Sequence, residues 1–153
     1  MNLANIIKDP SVYGISGEGD GPAKHSLTVT LDNLQAITSK SEGADPSHII
    51  PNMQKLKEEC DVDMAHRLMA GKNGAFPLLV TFCKDYKDDQ EIFLASMNAL
   101  VSLCTGQPDL LTDDSAQLFC NFLQTFQANP EILVKIVELV RLRNFIKLIN
   151  VIV

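Results

Sequence analysis

An internal repeat of about 40 residues constrains the fold of this chain more than any other feature, because helical apolar patterns return in the same order. Each round contains a short helix, an amphipathic helix and a helix that is apolar on nearly all sides. The matched positions are Leu78, Leu79 and Phe82 with Phe119, Cys120 and Leu123 at an offset of 41, and Leu100 and Leu103 with Leu139 and Leu142 at an offset of 39. Such a unit must stack on its neighbours to bury its apolar face. The pattern predicts an all-α solenoid of about two three-helix repeats.

Two helices are predicted before the repeats. The first spans residues 26–39, where apolar residues recur at helical spacing at Leu27, Leu31, Leu34 and Ile37. The second begins near Ser47, carries Pro51 early in its length, and has its apolar positions at Ile49, Met53, Leu56 and Cys60. Residues 9–25 hold four Gly and two Pro, which predicts a linker. We expect a flexible segment over residues 1–25, N-terminal capping helices over 26–60, and two repeats with an apolar tail over 61–153.

Acidic and amide side chains predict where several helices begin, because their oxygens accept hydrogen bonds from the first free backbone N–H groups. The short helix after residue 60 is expected to start at Asp61 or Asp63. Asp88 with Glu91 resembles a capping box for the next buried helix. Further starts are predicted at Asp113 or Asp114, and at Asn129 followed by Pro130.

The stretch "RLMAGKNGAFPLLVTFCKDYKDDQEIFLASMNALVSLCTGQPD" resembles one repeat of the armadillo family. Within it, "GKNGAFPLLV" is similar to the Gly-Ala-hydrophobic-Pro turn between the first and second helices of that family. The part "MNALVSLCTGQPDLL" is similar to its third helix and exit turn. The resemblance implies a non-enzymatic scaffold that binds a segment of another protein along the concave face of an armadillo-like α-solenoid.

The resemblance also implies which positions line that concave face, namely Asn98, Ser102 and Arg141. In armadillo proteins that bind nuclear-import signals, Trp and Asn side chains line the groove from each third helix. Here Asn98 and Ser102 take those two positions in one repeat, and Val137 and Arg141 take them in the next. A Trp–Asn ladder for import signals is therefore not expected.

Composition excludes other classes of partner. The net charge of −6 argues against a nucleic-acid surface, which needs an excess of Lys and Arg. No window reaches the ~18 apolar residues of a membrane-spanning helix, and the N-terminus lacks the pattern of a signal peptide. The cysteines are far apart and form no CxxC pair, so we expect reduced, mostly buried thiols in a cytoplasmic or nuclear protein.

The sequence predicts no catalytic residues, no metal and no cofactor. The three histidines, His25, His48 and His66, do not have the spacing of a zinc motif. The acidic stretch "CKDYKDDQE" lacks the Gly and alternation of a calcium loop, and "GISGEGDG" neither follows a strand nor opens a helix as a phosphate loop does. No nucleophile motif is present, so a binding function is favoured over an enzymatic one.

Two other interpretations stay open. The chain offers about two units, whereas stable solenoids usually need at least three and a polar end. It therefore fits an inactive or structural fragment of a longer armadillo protein that is completed by missing repeats or by self-association. The ending "RLRNFIKLINVIV" is basic and apolar, which gives a weaker interpretation as a helix on a membrane surface.

The apolar tail generates a testable prediction. Its seven apolar side chains either fold back over the last repeat or drive self-association, because uncovered apolar area promotes both. Deletion of residues 145–153 is expected to change the solubility, the sedimentation coefficient or the unfolding midpoint. An unaltered midpoint and solubility in a chain that is already monomeric would contradict the prediction.

Overall fold

The computed structural model describes residues 25–152, with side chains described through residue 142. The predicted linker over residues 9–25 lies outside this range apart from His25. The predictions about the tail side chains of residues 145–153 also lie outside it.

The described part of the chain contains seven α-helices, two short 3₁₀ helices and no strand, so the prediction of an all-α fold is confirmed. The α-helices are α1 (Ser26–Thr38), α2 (Ile49–Val62), α3 (Met64–Lys72), α4 (Ala75–Asp85), α5 (Gln90–Cys104), α6 (Asp113–Thr125) and α7 (Pro130–Ile152). The 3₁₀ helices Pro46–His48 and Pro108–Leu110 precede α2 and α6.

The helices form a layered, armadillo-like solenoid. One layer contains α2, α5 and α7, in which α5 packs against both of the others. Each of these three packs against the helix before it in a pair, α1 with α2, α4 with α5 and α6 with α7. The helix α3 contacts α1, α2, α4 and α5. These contacts are those expected of the first helix of a three-helix repeat, in which α4 and α5 are the second and third helices. The expected capping helices α1 and α2 are thus arranged like the second and third helices of a repeat.

The central helix α5 has two buried rows of side chains, whereas α2 and α7 have one each. The rows of α5 are Ile92, Ser96, Ala99 and Leu103, and Phe93, Met97, Leu100 and Cys104. The row of α2 is Ile49, Met53, Leu56 and Cys60, and that of α7 is Ile132, Ile136 and Leu139. The prediction that this helix is the buried one of its group is confirmed, because its two neighbours cover it from both sides.

The two rounds of the repeat are related by an offset of 40 rather than 41 or 39. Asp89 accepts a hydrogen bond from Ile92 N at 3.1 Å, and Asn129 accepts one from Ile132 N at 3.2 Å, so the caps of α5 and α7 are 40 positions apart. The helices α4 and α6 also end 40 positions apart. The matched pairs of the sequence comparison are therefore off by one in opposite directions.

Helix starts depart from the sequence-based prediction at two places. The cap of α5 is Asp89 and not Asp88, because the helix begins one residue later at Gln90. The cap of α6 is Thr112, whose hydroxyl accepts from Ser115 N, so Asp113 and Asp114 lie in the first turn instead. In that turn their charges face the positive end of the helix dipole. The start at Asn129 is as predicted, and Asp63 rather than Asp61 caps α3.

Three boundaries also differ. The helix α2 continues to Val62, so a division after residue 60 falls inside its last turn. Gly71 belongs to α3, which shortens the predicted "GKNG" loop to Asn73 and Gly74. Gly74 adopts φ 81°, a left-handed conformation that favours glycine because it has no Cβ. At the other end, α7 runs without a turn to Ile152, so its backbone does not fold back over the last repeat.

The buried position of Leu100 yields a stability prediction. Its side chain is 0 % exposed in the middle of α5, so Leu100→Ala is expected to lower the free energy of unfolding by about 2–5 kcal/mol. Leu68→Ala is the matched control, because it removes the same atoms from a side chain that is 46 % exposed on α3. Its expected cost is no more than ~0.5 kcal/mol. Urea denaturation measures both, and equal losses would contradict the assigned faces.

Candidate partner-binding groove

The exposed face of the α2–α5–α7 layer carries two cavities, one at each junction between neighbouring helices. The cavity between α2 and α5 has a volume of about 170 Å³, and the one between α5 and α7 about 450 Å³. The first is lined by Ile50, Met53, Gln54, Lys57, Glu91, Leu94, Ala95 and Asn98. Among the described side chains, the second is lined by Val101, Glu138, Arg141 and Leu142. Together they mark a groove that crosses three helices.

Asn98 lies in the cavity between α2 and α5, where it is half-buried. The opposite wall, on α2, carries Gln54 and Lys57, and the apolar lining includes Ile50 and Leu94. Amide side chains such as Asn98 and Gln54 both donate and accept hydrogen bonds, as a peptide backbone does. The cavity can therefore contact an extended chain through its main-chain groups.

Ser102 is less accessible than a groove position requires. Its side chain is 8 % exposed, and its hydroxyl lies beside the Asp61 carboxylate at the end of α2. Burial acts to raise the pKa of Asp61, but the hydrogen bonds from Lys57 and Ser102 outweigh it and lower the pKa below its ordinary value. These contacts therefore contribute stability above the ordinary pKa of Asp61, and this contribution is lost as the pH falls through the folded-state value.

Arg141 is exposed and borders the cavity between α5 and α7 together with Val101 and Glu138. Glu138 is itself paired with Lys135 at 3.3 Å, and the cavity lining combines the apolar Val101 and Leu142 with the charged Glu138 and Arg141. With the repeat offset of 40, Arg141 is equivalent to Val101 and not to Ser102. This explains why Arg141 is exposed while Ser102 is buried.

The structure thus separates the three positions expected to share one groove. Asn98 and Arg141 line neighbouring cavities, and Ser102 lines neither. Gln54 and Val101 line the groove but were missed by the sequence-based prediction. The available signal was the spacing of α2 and α5, since Gln54 stands 44 positions before Asn98, the same offset that relates the buried residues Met53 and Met97.

Metal-ligating side chains meet away from this groove, at the corner where α1 begins and α2 gives way to α3. Potential ligand atoms of His25, Glu59 and His66 all lie within 4.8 Å of one another. The sequence-based prediction missed this cluster, because no spacing motif joins residues from three separate elements.

The cysteines have the environment of structural thiols rather than nucleophiles. Cys60, Cys83 and Cys104 are free and fully buried, whereas Cys120 is half-buried. Burial raises the pKa of Cys60 and of Cys104 to about 12, and it also raises the pKa of Cys83. A thiol with a raised pKa is a poor nucleophile at neutral pH, because the thiolate is the reactive form.

These features define the class of protein: the described residues form an all-α, armadillo-like solenoid with a groove across its third helices. The chain is 33 % identical to armadillo repeat-containing protein 6 of Pongo abelii over 119 residues, which cover 77 % of this chain and 23 % of that protein. It is 32 % identical to the Homo sapiens protein of the same name over 119 residues, with the same shares. It is 31 % identical over 128 residues to the Drosophila melanogaster homolog, covering 80 % of this chain and 26 % of that protein.

The resemblance to armadillo repeat-containing protein 6, carried by the stretches "NLANIIK" and "NALVSLCTGQPDLL", is confirmed by these homologues. Its assignment to the N-terminal part of that protein stays a prediction. The chain spans about a quarter of the length of the curated relatives it matches. No family model matches the chain, and no solved structure matches it.

In the part of the chain that the structure describes, each helix is too short or too polar to cross a membrane.

The cysteine environments lead to a labelling prediction. In the native protein at mildly alkaline pH, a thiol reagent is expected to modify Cys120 quickly and Cys60, Cys83 and Cys104 slowly, because burial blocks access and suppresses the thiolate of those three. All four should react in urea. Mass spectrometry of the labelled peptides measures the order of modification, and rapid labelling of Cys104 in the native state would contradict the packing of α5.

Proposed function

We propose that this chain is a non-enzymatic protein-interaction scaffold of the armadillo type, which binds a segment of a partner protein along the concave face formed by α2, α5 and α7. The observation that carries the proposal is the pair of neighbouring cavities across this layer, each lined by both apolar and polar side chains. Grooves along stacked repeats are extended binding surfaces in solenoid proteins generally. The armadillo-repeat names of the homologues support the same class.

The chemistry of the groove favours an extended segment as the occupant. Packed helices lie about 8–10 Å apart, which is the length of about three residues of extended chain. A segment crossing from one junction to the next could place an apolar side chain near Leu94 and another near Val101. Asn98 would then pair with main-chain groups between them, and Arg141 would face an acidic or carbonyl group. Ser102 would offer this segment little contact area, because only 8 % of its surface is exposed.

A structural role is the second candidate, in which the chain acts as an inactive fragment of a longer armadillo protein. The specific observation in its favour is an apolar stripe on α7, where Val134 is 55 % exposed and Val137 is 44 % exposed. A further repeat or a second copy would cover such a stripe. We keep the proposed division of the chain into residues 1–25, 26–60 and 61–153, except for the boundary after residue 60. This boundary moves to Asp63, the residue that caps α3.

Charge reversal at the groove tests the proposed function. Arg141→Glu is expected to weaken capture of a groove-bound partner at least about 10-fold, because it replaces an attractive cation at the cavity rim by an anion. Lys84→Glu is the matched control, since it makes the same reversal at an exposed position on α4, outside the groove. Quantitative mass spectrometry compares proteins retained by the parent chain and by each variant, with circular dichroism confirming that both variants fold.

A photoreactive residue at position 98 adds a second readout that does not depend on charge. It should crosslink the proteins that Arg141→Glu loses, whereas the same residue at the exposed α4 position Thr81 should not. The groove proposal fails, and the structural role is favoured, if Arg141→Glu and Lys84→Glu lose the same proteins. The same conclusion follows if every captured protein is retained equally by both variants.

A further inference from the structure

The corner between the start of α1 and the α2–α3 junction brings together side chains that do not take part in the groove. His25 precedes α1, Glu59 lies in the last turn of α2, and His66 lies in the first turn of α3. Their ligand atoms lie within 4.8 Å of one another, and the rings of His25 and His66 meet edge to face with centroids 5.4 Å apart. Two imidazoles and a carboxylate are a ligand set that suits Zn²⁺.

His66 is oriented by a carboxylate on its far side. Its Nδ1 lies 2.6 Å from Asp63 Oδ1, and the same oxygen accepts a hydrogen bond from His66 N at 2.8 Å. With Nδ1–H donating to Asp63, the lone pair is placed on Nε2. A histidine that binds a metal through one nitrogen and donates to a carboxylate through the other is the common arrangement in protein zinc sites.

Glu59 is also held in place. It is half-buried, and one of its carboxylate oxygens accepts a hydrogen bond from the Ser26 hydroxyl at the start of α1. This bond leaves the second oxygen able to coordinate an ion. Glu59 and Asp63 together supply two negative charges near the imidazoles, which matches the charge of a divalent cation.

His25 is the adjustable member of the cluster. Its Nδ1 accepts a hydrogen bond from Leu27 N at 3.1 Å, so the neutral ring carries its proton on Nε2. Coordination would either replace that hydrogen bond at Nδ1 or require the proton to move from Nε2 to Nδ1. In both cases the N-cap of α1 is lost, so His25 should add less affinity than His66 or Glu59.

We propose that His25, Glu59 and His66 form a Zn²⁺ site, with Asp63 orienting His66. Bound there, the ion would join the start of α1 to the junction of α2 and α3. Three protein ligands leave a fourth tetrahedral position for water. The site departs from the sequence-based expectation of no metal.

The test measures Zn²⁺ binding to the tag-free chain by isothermal titration calorimetry and the unfolding midpoint with and without ZnCl₂, using MgCl₂ as the comparison salt. We expect one ion per chain, and an unfolding midpoint raised by Zn²⁺ but not by Mg²⁺, because a ligand that binds the folded state stabilises it by mass action. Substitution of Co²⁺ gives an absorption spectrum that reports tetrahedral coordination by nitrogen and oxygen.

The variants distinguish the site from adventitious binding. Glu59→Gln and His66→Ala are expected to abolish the Zn²⁺-induced shift, and His25→Ala to weaken it. Asp63→Asn keeps an oxygen that can cap α3 but removes the negative charge of the carboxylate that orients His66, and it should weaken binding by about 10-fold or more. His48→Asn is the matched control, since His48 is an exposed histidine outside the cluster.

Three results would overturn the proposal. The first is an absence of saturable binding by the parent chain. The second is a loss of binding in His48→Asn equal to that in His66→Ala. The third is a thiolate charge-transfer band in the Co²⁺ spectrum, which would show that cysteines bind the ion instead. If His66→Ala fails to fold, Glu59→Gln decides the outcome, because it changes one atom of a side chain that caps no helix.

Discussion

The packing of α5 between α2 and α7 is the interaction on which the rest of the fold depends. A helix with two buried rows of side chains is stable in water only when a neighbour covers each row. Because α2 and α7 lie on opposite sides of α5, they form a single layer whose free surface is the groove. At the junction with α6, Phe93 contacts Phe122 and Phe126 with ring centroids 5.0 Å and 4.4 Å apart, which fixes the next helix pair onto the same layer.

The sequence predicted the helices and their stacking because both depend on apolar periodicity, which a single chain displays directly. It predicted individual positions less well, because those depend on single-residue register. Asp88 and Asp89 are both good caps, and the structure uses Asp89, whose side chain accepts a hydrogen bond from Ile92 N. The same one-residue difference in register makes Val101, and not Ser102, the repeat equivalent of Arg141. For this reason Ser102 is buried whereas Arg141 is exposed.

The corner cluster could not be predicted for a different reason. A metal motif is recognisable when its ligands share one helix or one loop, since their spacing then follows the local geometry. His25 and Glu59 are 34 positions apart and meet only because α1 packs antiparallel beside α2, a fact of tertiary structure. The local pair Asp63 and His66 was visible in the sequence, but as a helix start and not as an orienting contact.

The last turn of α2 connects the core, the groove and the corner, because three consecutive residues there face three different environments. Cys60 is fully buried in the layer, Asp61 contacts Ser102 beside the groove, and Glu59 faces the histidines. An ion held by Glu59 would therefore oppose fraying of the turn that positions Asp61. The groove is linked to this turn through Lys57, which lines the same cavity as Asn98 and pairs with Asp61 at 2.6 Å. The two proposals nevertheless rest on different side chains, because the metal site uses His25, Glu59 and His66 whereas the groove is tested at Asn98 and Arg141. Each proposal can therefore fail while the other stands.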